Sequence, residues 1–299
     1  MVRSLDAWSV TLTVTVARVA LLLGVAFYAA HNKTYPGFKT WVAAIGMGIL
    51  SLLSLVLRPL APGLSIILTN FLAPMNAVMM VDGCVRFARG HSLDRRWYAI
   101  PVLNCLLSSF FYFAWDRMDV RIWLTGLVIT GTSLAATRIW LGDCPESARR
   151  LYRATALLFA CYAPLFLGRA LAWSFFPVTP DLMARGGPEG LSFLIMGVLD
   201  VNLVAAILML NGQRLEADLR TSTTQLQVAL QDLQEKTAEI KVLTGILPIC
   251  SHCKQIRDSE GAWTPVEEYV RHRTEARFSH GFCPSCLRAL YPDLVDEVS

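Results

Sequence analysis

"LSFLIMGVLDVNLVAAILMLNGQRLEADLRTSTTQLQVALQDLQEKTAEI", residues 191–240, changes character once, at Asn211. Up to that point it is apolar over a length that suits a membrane span of about 18–25 residues. Beyond it Gln, Glu, Lys and Leu dominate, and no proline occurs until Pro248. One helix satisfies both halves, leaving a bilayer and continuing into water. In the second half Leu219, Leu226, Leu233, Ile240 and Leu247 recur every seven residues, whereas the positions three further on are Ser222, Ala229, Lys236 and Leu243. The first row is a coiled-coil seam and the second is a weak one. The spacing predicts a short parallel dimeric coiled coil that makes a homodimer; a single amphipathic helix lying on its own bundle is the alternative.

Upstream of this stretch the chain is of the same apolar kind. Of 299 residues 54% are hydrophobic and 17% charged, with a mean hydropathy of +0.46, more than a water-soluble core requires. Apolar runs fall near 8–30, 40–57, 64–87, 97–115, 120–141, 152–176 and 191–211. They predict a seven-transmembrane-helix bundle in an all-α membrane protein, with membrane lipid as a partner. The connections, such as "RPLAPG" and "RGHSLDRR", carry turn and breaker residues. The first run is too long for a cleaved signal peptide and suits a retained span.

Basic residues set the orientation. Lys33, Lys39, Arg86, Arg89, Arg95, Arg96, Arg149, Arg150 and Arg153 fall on the odd-numbered loops, and Arg214 and Arg220 follow the last span. The other side carries mainly Arg3, Arg58, Arg117, Arg121 and Arg185. The excess predicts an outside N-terminus and a cytoplasmic C-terminus.

Four of the eight cysteines then lie in a cytosolic tail as two C-x2-C pairs, Cys250 with Cys253 and Cys283 with Cys286. In reducing cytosol such pairs read as a metal site before a disulfide framework. Four thiolates complete a tetrahedron around Zn2+ with no open position, so a structural zinc is expected. His252 and His280 are near enough in sequence to support the site from a second layer. Between the pairs, "KQIRDSEGAWTPV" predicts a hairpin turning at Asp258–Gly261, followed by a helix through "EEYVRHRTEA" and another beginning at the second cysteine pair. The sum is a small α+β zinc module of treble-clef or ribbon-like kind. Acidic and basic residues nearly balance in it, so no nucleic acid is expected as a partner. The domains are 1–211 membrane, 212–247 coiled coil and 248–299 zinc module.

Charges inside the spans are costly and need partners. Arg18 lies near the middle of the first span and Asp200 near the middle of the seventh, and the two can pair. Arg169 and Asn202, with Asn70, Asn76 and Asn104, add polar atoms for either a ligand-sensing cavity or structural links between helices. Arg138 and Asp82 are placed to snorkel toward the cytoplasmic side.

Two resemblances join these readings. The run from Tyr35 to Gly90, "YPGFKTWVAAIGMG…VDGCVRFARG", resembles the multi-span sensor region that precedes the catalytic domain of many bacterial diguanylate cyclases. The run from Ala238 to Pro292, with "ICSHCKQIRDSEGAWTPVEEYV" and "FSHGFCPSCLRALYP", resembles the C-terminal module that ends many bacterial sensor and response-regulator proteins. The resemblance implies a bacterial inner-membrane signal receptor with an unnamed cytoplasmic signalling partner. No GG[DE]EF-like stretch occurs, and no kinase domain fits between Leu215 and Ser299, so no catalytic residue and no enzymatic activity is carried over. The competing expectation is a membrane enzyme or transporter using Arg18, Asp200 and Arg169, with the tail serving assembly.

Overall fold

Proline, glycine and charge stop the apolar runs where the helices stop. In the computed structural model, which describes residues 7–175, 188–239, 247–274 and 276–291, the runs become α1 (Ala7–His31), α2 (Phe38–Val56), α3 (Pro62–Arg89), α4 (Ala99–Phe113), α5 (Met118–Gly142), α6 (Arg149–Phe175) and α7 (Pro188–Glu239). Proline opens α3 in its first turn, and Gly90, in the left-handed region at φ 78°, closes it. Six of these helices are long and apolar enough to cross a membrane, and the chain is a multi-pass, predominantly α-helical membrane protein. Two compact units divide it, Met1–Leu219 and Arg220–Ser299. Arg3, Arg185 and Ile240 lie outside the described residues.

The exception among the seven is α4, with 15 residues. It rises about 22 Å, against about 30 Å of hydrocarbon. Its first turn is lost to a local competitor. The Asp94 carboxylate accepts the Arg96 N–H at 3.0 Å and sets up a 3-10 turn over Arg95–Tyr98 before the α-helix begins.

α2 and α3 approach closely at two glycines. Gly37, at φ 93°, leads into α2, where a Cβ would lie 2.3 Å from the Gly83 carbonyl oxygen, and a Cβ on Gly83 would lie 2.3 Å from the Trp41 indole. The Trp41 indole donates to the Met80 carbonyl at 3.1 Å. Trp41 then packs on Phe87 at 5.3 Å and on Trp140 at 6.2 Å, and Trp140 meets Tyr152 edge-on at 5.0 Å. This aromatic cluster joins α2, α3, α5 and α6. Gly83→Ala is expected to destabilise the bundle by about 1–3 kcal/mol through overpacking, read as a lowered midpoint of thermal unfolding.

Pro74 interrupts α3 and leaves the Asn70 carbonyl without its ordinary helical donor. The Asn104 side-chain amide of α4 donates to that carbonyl at 2.8 Å, and the Thr125 hydroxyl of α5 donates to the Asn70 side-chain oxygen at 3.0 Å. A proline that would weaken an isolated helix thus becomes the point where three helices meet, as a dry bilayer interior demands. Asp82 does not snorkel. It is 1% exposed and accepts from Arg86 at 2.8 Å, the Leu93 N–H at 2.7 Å and the Tyr98 hydroxyl at 2.9 Å. A carboxylate with three donors at hand has no need to reach water.

In the second unit the hairpin forms as expected. β1 (Ile256–Arg257) pairs antiparallel with β2 (Trp263–Thr264), with Ile256 opposite Thr264. Asp258 builds the turn by accepting the N–H groups of Glu260 at 3.0 Å and Ala262 at 2.8 Å, and Gly261 supplies φ 88°. α8 (Val266–Arg273) has Glu267 and Glu268 in its first turn and Arg271, His272 and Arg273 in its last, both ends suited to the helix dipole. α9 (Pro284–Leu290) begins at Cys283, its N-cap residue.

Candidate functional site

The first unit holds a cavity of about 230 Å³ between its helices. Arg18 of α1 and Asp200 of α7 form an ion pair on its wall, and the Tyr162 hydroxyl of α6 donates to the other Asp200 oxygen at 2.6 Å. Three helices therefore share one carboxylate. Side-chain exposure is 12% for Arg18 and 23% for Asp200, so both charges are largely withdrawn from the surroundings. A buried pair of this kind repays its desolvation only through good geometry and further hydrogen bonds, and Tyr162 supplies one.

Arg169 lies seven residues beyond Tyr162, on the same face of α6. It lines the same cavity, with its guanidinium 5.8 Å from the centroid of the Phe193 ring. Asn70 and Asn76 line it too. Asn202 does not belong with them: it is exposed and donates back to the Val198 carbonyl at 2.8 Å. Two residues along a helix turn a side chain about 200° around the axis, so Asn202 cannot share the face that Asp200 presents.

Sequence reasoning missed Tyr162 and Arg121 as members of the site. Arg121, in the first turn of α5, is 8% exposed, lies 3.1 Å from the Asp116 carboxylate and stacks over the Tyr112 ring at 5.0 Å. Among the described residues, Arg18 Nε, Arg121 Nη1 and the Asn76 side-chain oxygen are buried without a hydrogen-bond partner. Orphaned polar atoms of this kind cost roughly 1–3 kcal/mol each, and more where the group is charged.

At the other end of the first unit a polar clasp holds α7 where its apolar run ends. Asn211, fully buried, donates to the Tyr28 hydroxyl at 3.1 Å and the Lys33 carbonyl at 3.2 Å, and accepts the Tyr35 N–H at 3.1 Å. One turn on, Arg214 donates to the Phe87 carbonyl at 2.5 Å and lies over the Tyr35 ring at 4.9 Å. Asp218 accepts from the Tyr35 hydroxyl at 2.5 Å and from Lys33 at 3.4 Å. The one signal for this clasp in the sequence is the polar residue that ends the apolar run.

Farther along α7, Leu219, Leu226 and Leu233 are 65%, 62% and 61% exposed. An apolar row this open on a long helix lacks the burial that would make it part of its own chain's core.

The cysteines form two local half-sites. Around Cys250 the chain turns tightly: the Lys254 N–H donates to the Cys250 carbonyl at 3.0 Å, and Lys254 sits at φ 63°. The backbone N–H groups of Cys253 and His252 pull the Cys250 thiol below its ordinary range. Cys283 is pulled to about 7, first by the Ser285 hydroxyl and then by the backbone N–H of Cys286. In each pair one thiol is thus shifted toward thiolate, the form that binds metal. The donor chemistry fits zinc within each pair, but among the described residues no three His, Cys, Asp or Glu side chains converge on one point. His252 and His280 are exposed. No family model, curated protein or solved structure matches this chain.

Proposed function

We propose that the protein is a non-enzymatic signal receptor of the bacterial inner membrane. In this reading the seven helices all cross the bilayer, with the N-terminus outside and the C-terminus in the cytoplasm. The 3-10 turn before α4 adds about 8 Å, enough to bring that segment to the hydrocarbon thickness. Occupation of the cavity shifts α7, α7 shifts a dimeric coiled coil, and the terminal four-Cys module, closed by structural zinc, presents the change to a cytoplasmic partner. One observation carries the reading: Asp200, in the cavity wall, and Leu219, Leu226 and Leu233 of the heptad row belong to the same helix, α7. The ion pair and the seam therefore lie along one element of the chain.

The weak second row of the seam suits a switch. Ser222, Ala229 and Lys236 at core-type positions lower the stability of one packing and let two lie close in free energy. A photo-crosslinking amino acid placed at Leu226 or Leu233 in membranes is expected to yield covalent dimers several-fold more efficiently than one at Gln231, on the opposite face. Monomers alone at all three positions would remove the receptor reading. A transporter would use the same cavity, and it gains if Asp200→Asn abolishes a solute flux that survives deletion of residues 212–299.

A further inference from the structure

Asn211, Arg214 and Asp218 follow one another at spacings of three and four residues, which puts them on one stripe of α7. All three meet Tyr35, in the segment between α1 and α2. The Tyr35 N–H donates to the Asn211 side-chain oxygen, the Tyr35 ring lies beneath the Arg214 guanidinium, and the Tyr35 hydroxyl donates to the Asp218 carboxylate. Seven residues of helix rise about 10 Å. Tyr35 therefore lies along two turns of α7 as a strut, from the end of the apolar run into the polar half.

The two ends of the strut differ in what it takes to undo them. Asn211 is fully buried and is bonded to the Tyr28 hydroxyl, the Lys33 carbonyl and the Tyr35 N–H. Breaking these bonds would strand polar groups away from water, which is costly. Arg214 adds a bond to the Phe87 carbonyl at the end of α3 and lies over the Phe87 ring at 5.0 Å. Asp218 is the opposite case. Its side chain is 50% exposed, and Lys33, its other partner, is 65% exposed. Water can take the place of either contact, and salt screens the charge pair.

We propose that this clasp is a two-stage conformational device, in which Asn211 is a fixed anchor and the bonds of Asp218 to Tyr35 and Lys33 are a releasable catch. With the catch closed, α7 is tied to the α1–α2 segment as far as Asp218. With it open, the tie ends at Arg214. Opening breaks no buried hydrogen bond, so the membrane unit keeps its fold in both states, as a switch element requires. In the receptor reading the catch decides whether a displacement of α7 is passed on along the helix. That use of it rests on the receptor reading, and the catch itself does not.

The test uses the full chain in nanodiscs of phosphatidylcholine and reads amide hydrogen exchange along α7 together with thermal unfolding. Tyr35→Phe removes the hydroxyl and keeps the ring that lies beneath Arg214. Tyr35→Phe and Asp218→Ala are each expected to speed exchange at residues 215–218 about 2–10-fold, with the unfolding midpoint unchanged. Lys33→Gln should give a smaller acceleration, which high salt should reproduce in the unaltered protein. Asn211→Ala should instead lower the midpoint of the whole unit, by about 4–10 °C. Unchanged exchange at 215–218 in Tyr35→Phe and Asp218→Ala removes the catch, and a wild-type midpoint in Asn211→Ala removes the anchor. A lowered midpoint in Tyr35→Phe makes the strut an ordinary part of the fold and also overturns the proposal. Photo-crosslinking at Leu226 in the same variants keeps the two readings apart: faster exchange with unchanged crosslinking supports the catch and counts against the receptor.

Discussion

Replacing Asp200 by alanine should destabilise the membrane unit by about 3–5 kcal/mol, a fall of roughly 6–20 °C in its unfolding midpoint. The size follows from what is left behind. Arg18 is near the middle of a span with 12% of its side chain exposed, and without Asp200 its charge would have no carboxylate on the cavity wall among the described residues, while the Tyr162 hydroxyl would lose its acceptor. Arg18→Met together with Asp200→Leu should recover most of the loss, since apolar replacement of a whole buried pair is often neutral or stabilising. Tyr162→Phe alone removes one hydrogen bond, worth about 1 kcal/mol between membrane helices. Thermal unfolding of the four proteins in one bilayer decides the matter. If Asp200→Ala and the double variant prove equally stable, the ion pair contributes nothing to the fold and its role lies elsewhere.

That pair also shows where a sequence can be read and where it cannot. Arg18 and Asp200 were legible because a charge in the middle of an apolar run is costly wherever the run ends up, so two opposite charges in different runs point to each other. Asn202 looked like a third member only because it was near Asp200 in number. Helical geometry places it on another face, and that argument needed no structure. The meeting of Asn70, Asn104 and Thr125 was illegible for a different reason. Its cause is the carbonyl freed by Pro74, but which side chain reaches that carbonyl depends on how α3, α4 and α5 pack. Asp82 misled in the same way, because snorkelling is the expectation for a lone charge near a helix end, and Leu93 and Tyr98 are donors that folding alone brings near. The turn at Asp258–Gly261 was legible in full, since one Asp and one Gly close it with local hydrogen bonds.

Removing metal from the protein with a strong zinc chelator should unfold residues 248–291 while α1–α6 stay protected. Hydrogen exchange should show loss of nearly all protection in the hairpin, α8 and α9. The reason is the scarcity of core. Among the described residues of Arg220–Ser299, Ile256 is the one apolar side chain that is buried, at 1% exposure. Two strands of two residues each and two short helices cannot offset their own chain entropy with one buried isoleucine, because isolated hairpins and cores of this size are marginal at best. A metal can. Apparent zinc affinities of about 10–16 kcal/mol in small thiolate-bearing peptides exceed any stabilisation the apolar contacts offer here. The Cys250 turn and the Cys283 cap each lower the pKa of their thiol, and in the zinc reading closing the two pairs on one ion is the movement the metal would drive. Cys250→Ser should reproduce the effect of the chelator, and metal analysis of the untreated protein should give about one zinc per chain. A metal-free preparation that keeps its protection at 248–291 would mean that some other contact orders this unit, and the four thiols would then be reactive groups rather than ligands.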